Sequence, residues 1–173
     1  ADFTQVSDSR VRIEGTEYRE APVVNHLLEG VERVGYRSIM LCGIRGPEIL
    51  ARLDEILDRT RKKVTALADG TSWTLTFRRY GIDGVPLFPE PTPETVPPEV
   101  GLVVDVTAET RERAGNVCGT VNNVLRHLNF EGKLATSGNL AIPYSPAVTD
   151  VGPVYEFSVY NFLEGLSSRE LAN

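Results

Sequence analysis

The stretch that decides the fold is residues 36–70, YRSIMLCGIRGPEILARLDEILDRTRKKVTALADG. Its first nine residues form a short apolar run with Ile39 and Leu41 on one face and Met40 and Cys42 on the other, closed by Gly46-Pro47. That is the pattern of a strand covered on at least one side. Pro47, suited to the first turn of a helix, then opens a segment in which Ile49, Leu50, Leu53, Ile56, Leu57, Val64 and Leu67 recur at threes and fours, and Gly70 supplies the left-handed stop. A helix over 47–68 follows. Its polar side sets Glu55 before Arg59 and Asp58 before Lys62, the favourable i,i+4 order against the helix dipole. The cluster RTRKK therefore reads as a solvated face.

Downstream, TSWTLTFRRYG alternates with Trp73, Leu75 and Phe77 pointing one way and Thr74, Thr76 and Arg78 the other, as a half-buried strand does. Six prolines between Pro86 and Pro98 then forbid helix interior and central strand, so the segment is an exposed loop. The pattern resumes with GLVVDVT, where Leu102, Val104 and Val106 form an inner face. Thr107 is expected to cap a helix to residue 128 carrying Ala114, Val117, Cys118, Val121, Val124, Leu125 and Leu128 at helical spacing. The last strand, PVYEFSVYNFL, places Tyr155, Phe157 and Val159 on one face. Strand, helix, strand, strand, helix, strand is the order of an α+β, ferredoxin-like βαββαβ sandwich: an antiparallel sheet with two helices on one face. Residues 36–165 form that domain. Residues 1–35 are an N-terminal extension, with a short strand at Arg10 to Glu14 and a loop holding Pro22 and Gly30, and 166–173 are a C-terminal tail.

At 173 residues the chain is long enough to bury a core without disulfides or metal. A formal net charge of -6 argues against nucleic acid and against an anionic membrane surface. There is no apolar run of the length that spans a bilayer, and ADFTQVSDSR lacks a signal peptide's apolar region, so a cytoplasmic setting is the default. Cys42 and Cys118, the only cysteines, sit in apolar patterns and read as buried thiols.

Motifs for dinucleotides, P-loop phosphates, zinc proteases and serine hydrolases are missing, and two histidines, His26 and His127, give no warrant for a metal site or a cofactor. Two regions carry what functional signal there is. Asp105 is the one charge inside the third predicted strand, with Arg78 and Glu156 its expected neighbours; a surface ion-pair cluster explains these residues more simply than acid–base chemistry. The face the helices leave bare is expected to carry Met40, Cys42, Thr74, Thr76, Arg78, Val103, Asp105, Glu156, Ser158 and Tyr160. Within it Met40, Thr76, Arg78, Val103, Asp105 and Tyr160 are candidate interface residues. The long connection from Asn129 to Pro153 contains ATSGNLAIPYSP, residues 135–146, in which Thr136, Ser137, Gly138, Asn139 and Tyr144 are candidate ligand contacts and Leu140 or Ile142 is expected to pack inward.

Four segments in this order, GVERVGYRSIMLCGIRGPEILARLDEIL, GLVVDVTAET, KLATSGNLAIPYSP and GPVYEFSVYNFL, resemble the C-terminal region of the acyclic terpene utilisation (AtuA) family, bacterial proteins associated with catabolism of branched isoprenoid acids. The resemblance covers about residues 30 to 165 and is most specific from Lys133 to Phe162. Proteins of that family are longer, with a large preceding domain and a C-terminal portion described as ferredoxin-like, which implies that the chain is the separated end of such a protein. It carries over no catalytic residue. The expectation is an accessory or assembly domain whose open sheet face meets the preceding domain or a second copy. The rivals are an enzyme part taking an acyl or anionic substrate at the 135–146 loop, and a stand-alone small-molecule sensor.

Overall fold

The computed structural model describes residues 1–19, 25–68, 72–85, 97–133 and 140–165. Two compact units divide them, one of residues 32–156 and one combining 1–31 with the segment from 157 onward.

The larger unit is built on a mixed α+β plan. Strand β3 (Asn25–Arg45) pairs antiparallel with β5 (Glu99–Ala108), which pairs antiparallel with β4 (Trp73–Tyr80). The two-residue strand β6 (Leu140–Ala141) and the long strand β7 (Val148–Glu164) both pair with β3, so the central order is β4-β5-β3, flanked by β6 and β7. Helices α1 (Pro47–Ala51), α2 (Leu53–Leu67) and α3 (Arg111–His127) lie between the strands in sequence. Leu53, Ile56, Leu57 and Val64 of α2 and Val117, Cys118, Val121 and Leu125 of α3 join one core with Met40, Cys42, Ile44, Val100, Leu102, Val104 and Val106. Both long helices therefore cover the same sheet face.

The ladder register corrects the expected face of β3. Met40 stands opposite Val104 and Cys42 opposite Leu102, while Phe77 is the partner of Val104 on the far side. Directly opposed residues share a face, so Met40 and Cys42, both 0% exposed, belong to the helix-covered core and not to the open face. Ile39 and Leu41 take their places there, opposite Asp105 and Val103.

Three smaller differences have local causes. The helix expected over 47–68 is interrupted at Arg52, whose φ of -113° and ψ of 11° leave the helical range. Thr107 is still in the ladder, opposite Arg37 and Thr74, and the cap of α3 is Thr110, whose hydroxyl accepts the Arg113 N–H at 3.1 Å. Gly30 lies inside β3 and not in a loop, because that strand runs 21 residues. Strand β4 alternates as expected, and the pairs Glu55–Arg59 and Asp58–Lys62 form at 3.1 and 2.6 Å. Arg61 is more than a solvated charge: it donates to the Leu75 carbonyl and lies 5.2 Å from the Phe77 ring centre, tying α2 to β4.

In the smaller unit β1 (Asp2–Ser7) and β2 (Arg10–Glu14) form an antiparallel hairpin with Phe3 opposite Ile13 and Gln5 opposite Val11. The strand expected at Arg10 to Glu14 is β2; its partner β1 was not legible. The unit also holds the N-terminal end of β3 and the C-terminal end of β7.

Candidate functional site

The open face of the 32–156 unit follows from the same register. Across β3, β5 and β4 it carries the rows Arg37, Thr107, Thr74; then Ile39, Asp105, Thr76; then Leu41, Val103, Arg78. Asp105 sits in the middle row, with Arg37 on one diagonal and Arg78 on the other. Diagonal partners across a sheet are within reach of long side chains. Arg37 Nε lies 3.0 Å from Asp105 Oδ1 and Arg78 Nη2 lies 3.3 Å from Oδ2. Two strands thus deliver one guanidinium to each oxygen of one carboxylate.

Asp105 is only 8% exposed. A carboxylate so buried needs compensation, and the two arginines give it. The match is uneven. Arg78 makes a long hydrogen bond, whereas the Arg37 Nε–H, though at ion-pair distance, points off the carboxylate oxygen, so this buried nitrogen makes no hydrogen bond. A cleft of about 270 Å³ opens above the cluster, walled by Val34, Thr74, Thr76, Thr107, Val154 and Glu156. Glu156 is on the side of β7 expected for it.

A second, more apolar hollow of about 420 Å³ lies further along the sheet, where Gly43 faces Gly101 and Leu41, Ala141, Ile142 and Pro143 form its edges. Here the long connection returns to the sheet: β6 pairs with Gly43 and Ile44, and Leu140 and Ile142 pack against the core, as the sequence suggested. Of the candidate ligand contacts in that connection, Tyr144 is 64% exposed, and Thr136, Ser137, Gly138 and Asn139 lie outside the described residues.

The interface candidates divide. Thr76, Arg78, Val103 and Asp105 do stand together on the open face; Met40 is in the core; Tyr160 belongs to the smaller unit. Arg37 was missed. Its signal was present, since it shares the alternation phase of Ile39 and Leu41, but it could be used only once the face of β3 was known.

Within the smaller unit the exposed apolar side chains stand out. Phe157 is 71%, Tyr160 67% and Phe162 56% exposed, with Leu27, Leu28, Val31 and Val159 also open, and Phe3, Val11 and Ile13 open on the hairpin. Tyr160 and Phe162 meet edge to face at 6.3 Å. The ribbon ends of β3 and β7 approach so closely at Gly30 that a methyl there would lie 3.1 Å from the Val159 Cβ.

Among the described residues no helix is long and apolar enough to cross a membrane, and no three of His, Cys, Asp and Glu are grouped as metal ligands would be. The geometry defines an antiparallel α+β domain with helices on one sheet face and a charged cleft on the other. Residues 1–146 match the family model described as "Acyclic terpene utilisation family protein AtuA". The chain belongs to that family, and with it is associated with acyclic terpene utilisation. No curated protein and no solved structure matches the chain.

Proposed function

We propose that this chain is an accessory, assembly domain of the AtuA proteins, ferredoxin-like in topology, that joins with a second copy of itself through the apolar ribbon ends of β3 and β7. The ferredoxin-like reading is supported by the order β4-β5-β3-β7 with both long helices on one face. A cytoplasmic setting belongs to the same reading and accords with two unpaired, buried cysteines.

One observation carries the assembly role: Phe157, Tyr160 and Phe162 are all more than half exposed on a two-stranded ribbon. Two strands alone are marginal in water, and clustered apolar exposure of this kind marks interaction surfaces. Tyr160 and Phe162 share one face of β7 and Phe157 and Val159 the other, so the ribbon presents apolar side chains to solvent on both faces.

Sedimentation velocity is the test. The wild type is expected to run as a dimer or larger, and the double variant Phe157→Asp, Tyr160→Asp as a folded monomer with unchanged far-ultraviolet circular dichroism. A wild type that stays monomeric at high concentration would overturn the proposal.

A further inference from the structure

We propose that the cleft above Asp105 is a receptor for the carboxylate of a small organic acid, bound by Arg37 and Arg78. The inference uses only residues of the 32–156 unit and stands whether or not the ribbon of the other unit mediates assembly.

Each guanidinium carries five N–H donors in a rigid fork, and Asp105, receiving both, is the only ion-pair partner the described residues give them. Arg78 spends one N–H on Asp105, and the buried Nε of Arg37 makes no hydrogen bond. A buried donor without an acceptor is rare in folded proteins and costly. Both arginines line an open cleft with three threonines, and their side chains, 37% and 46% exposed, can present further N–H groups to it. What the site lacks is a pair of acceptor oxygens, and a carboxylate supplies two in the geometry a guanidinium fork matches.

Charge sets the kind of anion. The two arginines and the two carboxylates, Asp105 and Glu156, cancel formally, so a bound monoanion leaves the cleft with one negative charge and a phosphate dianion with two. Asp105 is fixed between the arginines and orients them. Glu156 is exposed and makes no ion pair with either arginine at the distances seen, so it acts as a competitor whose charge holds affinity down. Val34 and Val154 form the apolar part of the wall and would contact the carbon chain. A volume of about 270 Å³ has room for a short acid.

Isothermal titration of the full chain with sodium butyrate and sodium benzoate, against sodium chloride and sodium phosphate at matched ionic strength, tests this. Saturable binding of the carboxylates is expected. Arg37→Gln and Arg78→Gln should each weaken it about tenfold or more, Arg78→Lys should restore only part because the fork is lost, and Glu156→Gln should tighten it severalfold. Each variant is checked for an unchanged thermal transition, and Glu156→Gln, at an exposed position, keeps the test open if an arginine variant unfolds. No saturable heat with either carboxylate, tighter binding of phosphate, or a Glu156→Gln protein that binds no better than wild type would overturn the proposal.

Discussion

Met40 and Leu41 are adjacent, of similar size and equally apolar, yet the register of β3 against β5 gives them opposite fates. Met40 is fully buried against Val104, and Leu41 is 37% exposed on the open face. Met40→Ala should therefore cost about 2–5 kcal/mol, as core truncations do, and Leu41→Ala about 1 kcal/mol or less. Urea denaturation of the two variants checks the assignment, and equal losses would contradict it. The buried thiols make a second test at this scale. Burial pushes Cys42 up to about 11 and Cys118 up to about 12, the latter helped by the negative charge of Asp105. An unfolded thiol ionises near pH 8.5, so between there and the native values the native state holds more protons than the unfolded chain. Stability should fall as pH rises from about 8.5 towards 11, by on the order of a few kcal/mol. Urea melts at pH 8 and pH 10.5 should show the fall, reduced in a Cys42→Ala variant.

At the scale of elements, caps and close approaches decide where segments stop. Thr110 closes the N-terminus of α3 by accepting from Arg113, and Thr110→Ala should lower stability by about 1 kcal/mol. The spacing read from sequence put the cap at Thr107; it falls at Thr110 because Thr107 and Ala108 still have ladder partners in β3 and β4. Gly35 marks a close approach in β3. A methyl there would stand 2.6 Å from the Ala108 carbonyl oxygen, and since backbone cannot yield cheaply, Gly35→Ala should destabilise by about 1–3 kcal/mol. A lowered urea midpoint with unchanged m-value is the expected readout. The helices themselves were legible because their apolar periods are long, and the break at Arg52 was not, since nothing in the spacing of Leu50 and Leu53 announces it.

For the whole molecule, the two proposed surfaces should answer salt in opposite ways. Assembly through apolar aromatics in a chain of net charge -6 should persist or strengthen as salt screens self-repulsion, whereas carboxylate capture by Arg37 and Arg78 should weaken steadily. Sedimentation and titration repeated from about 0.05 to 0.5 M sodium chloride, a range over which the Debye length falls several-fold, would show this contrast. What the sequence determined by itself was periodicity: the strands near 36–44, 72–80, 101–107 and 154–162, the long helices, the α+β class, and the residues of the family resemblance. Periodicity says which residues share a face but not which face turns inward when both are apolar, as at Ile39, Met40, Leu41 and Cys42. That was decided by pairing with residues 60 or more positions away. The same long-range register brought Arg37 to Asp105, and so the cleft exists only in the tertiary structure.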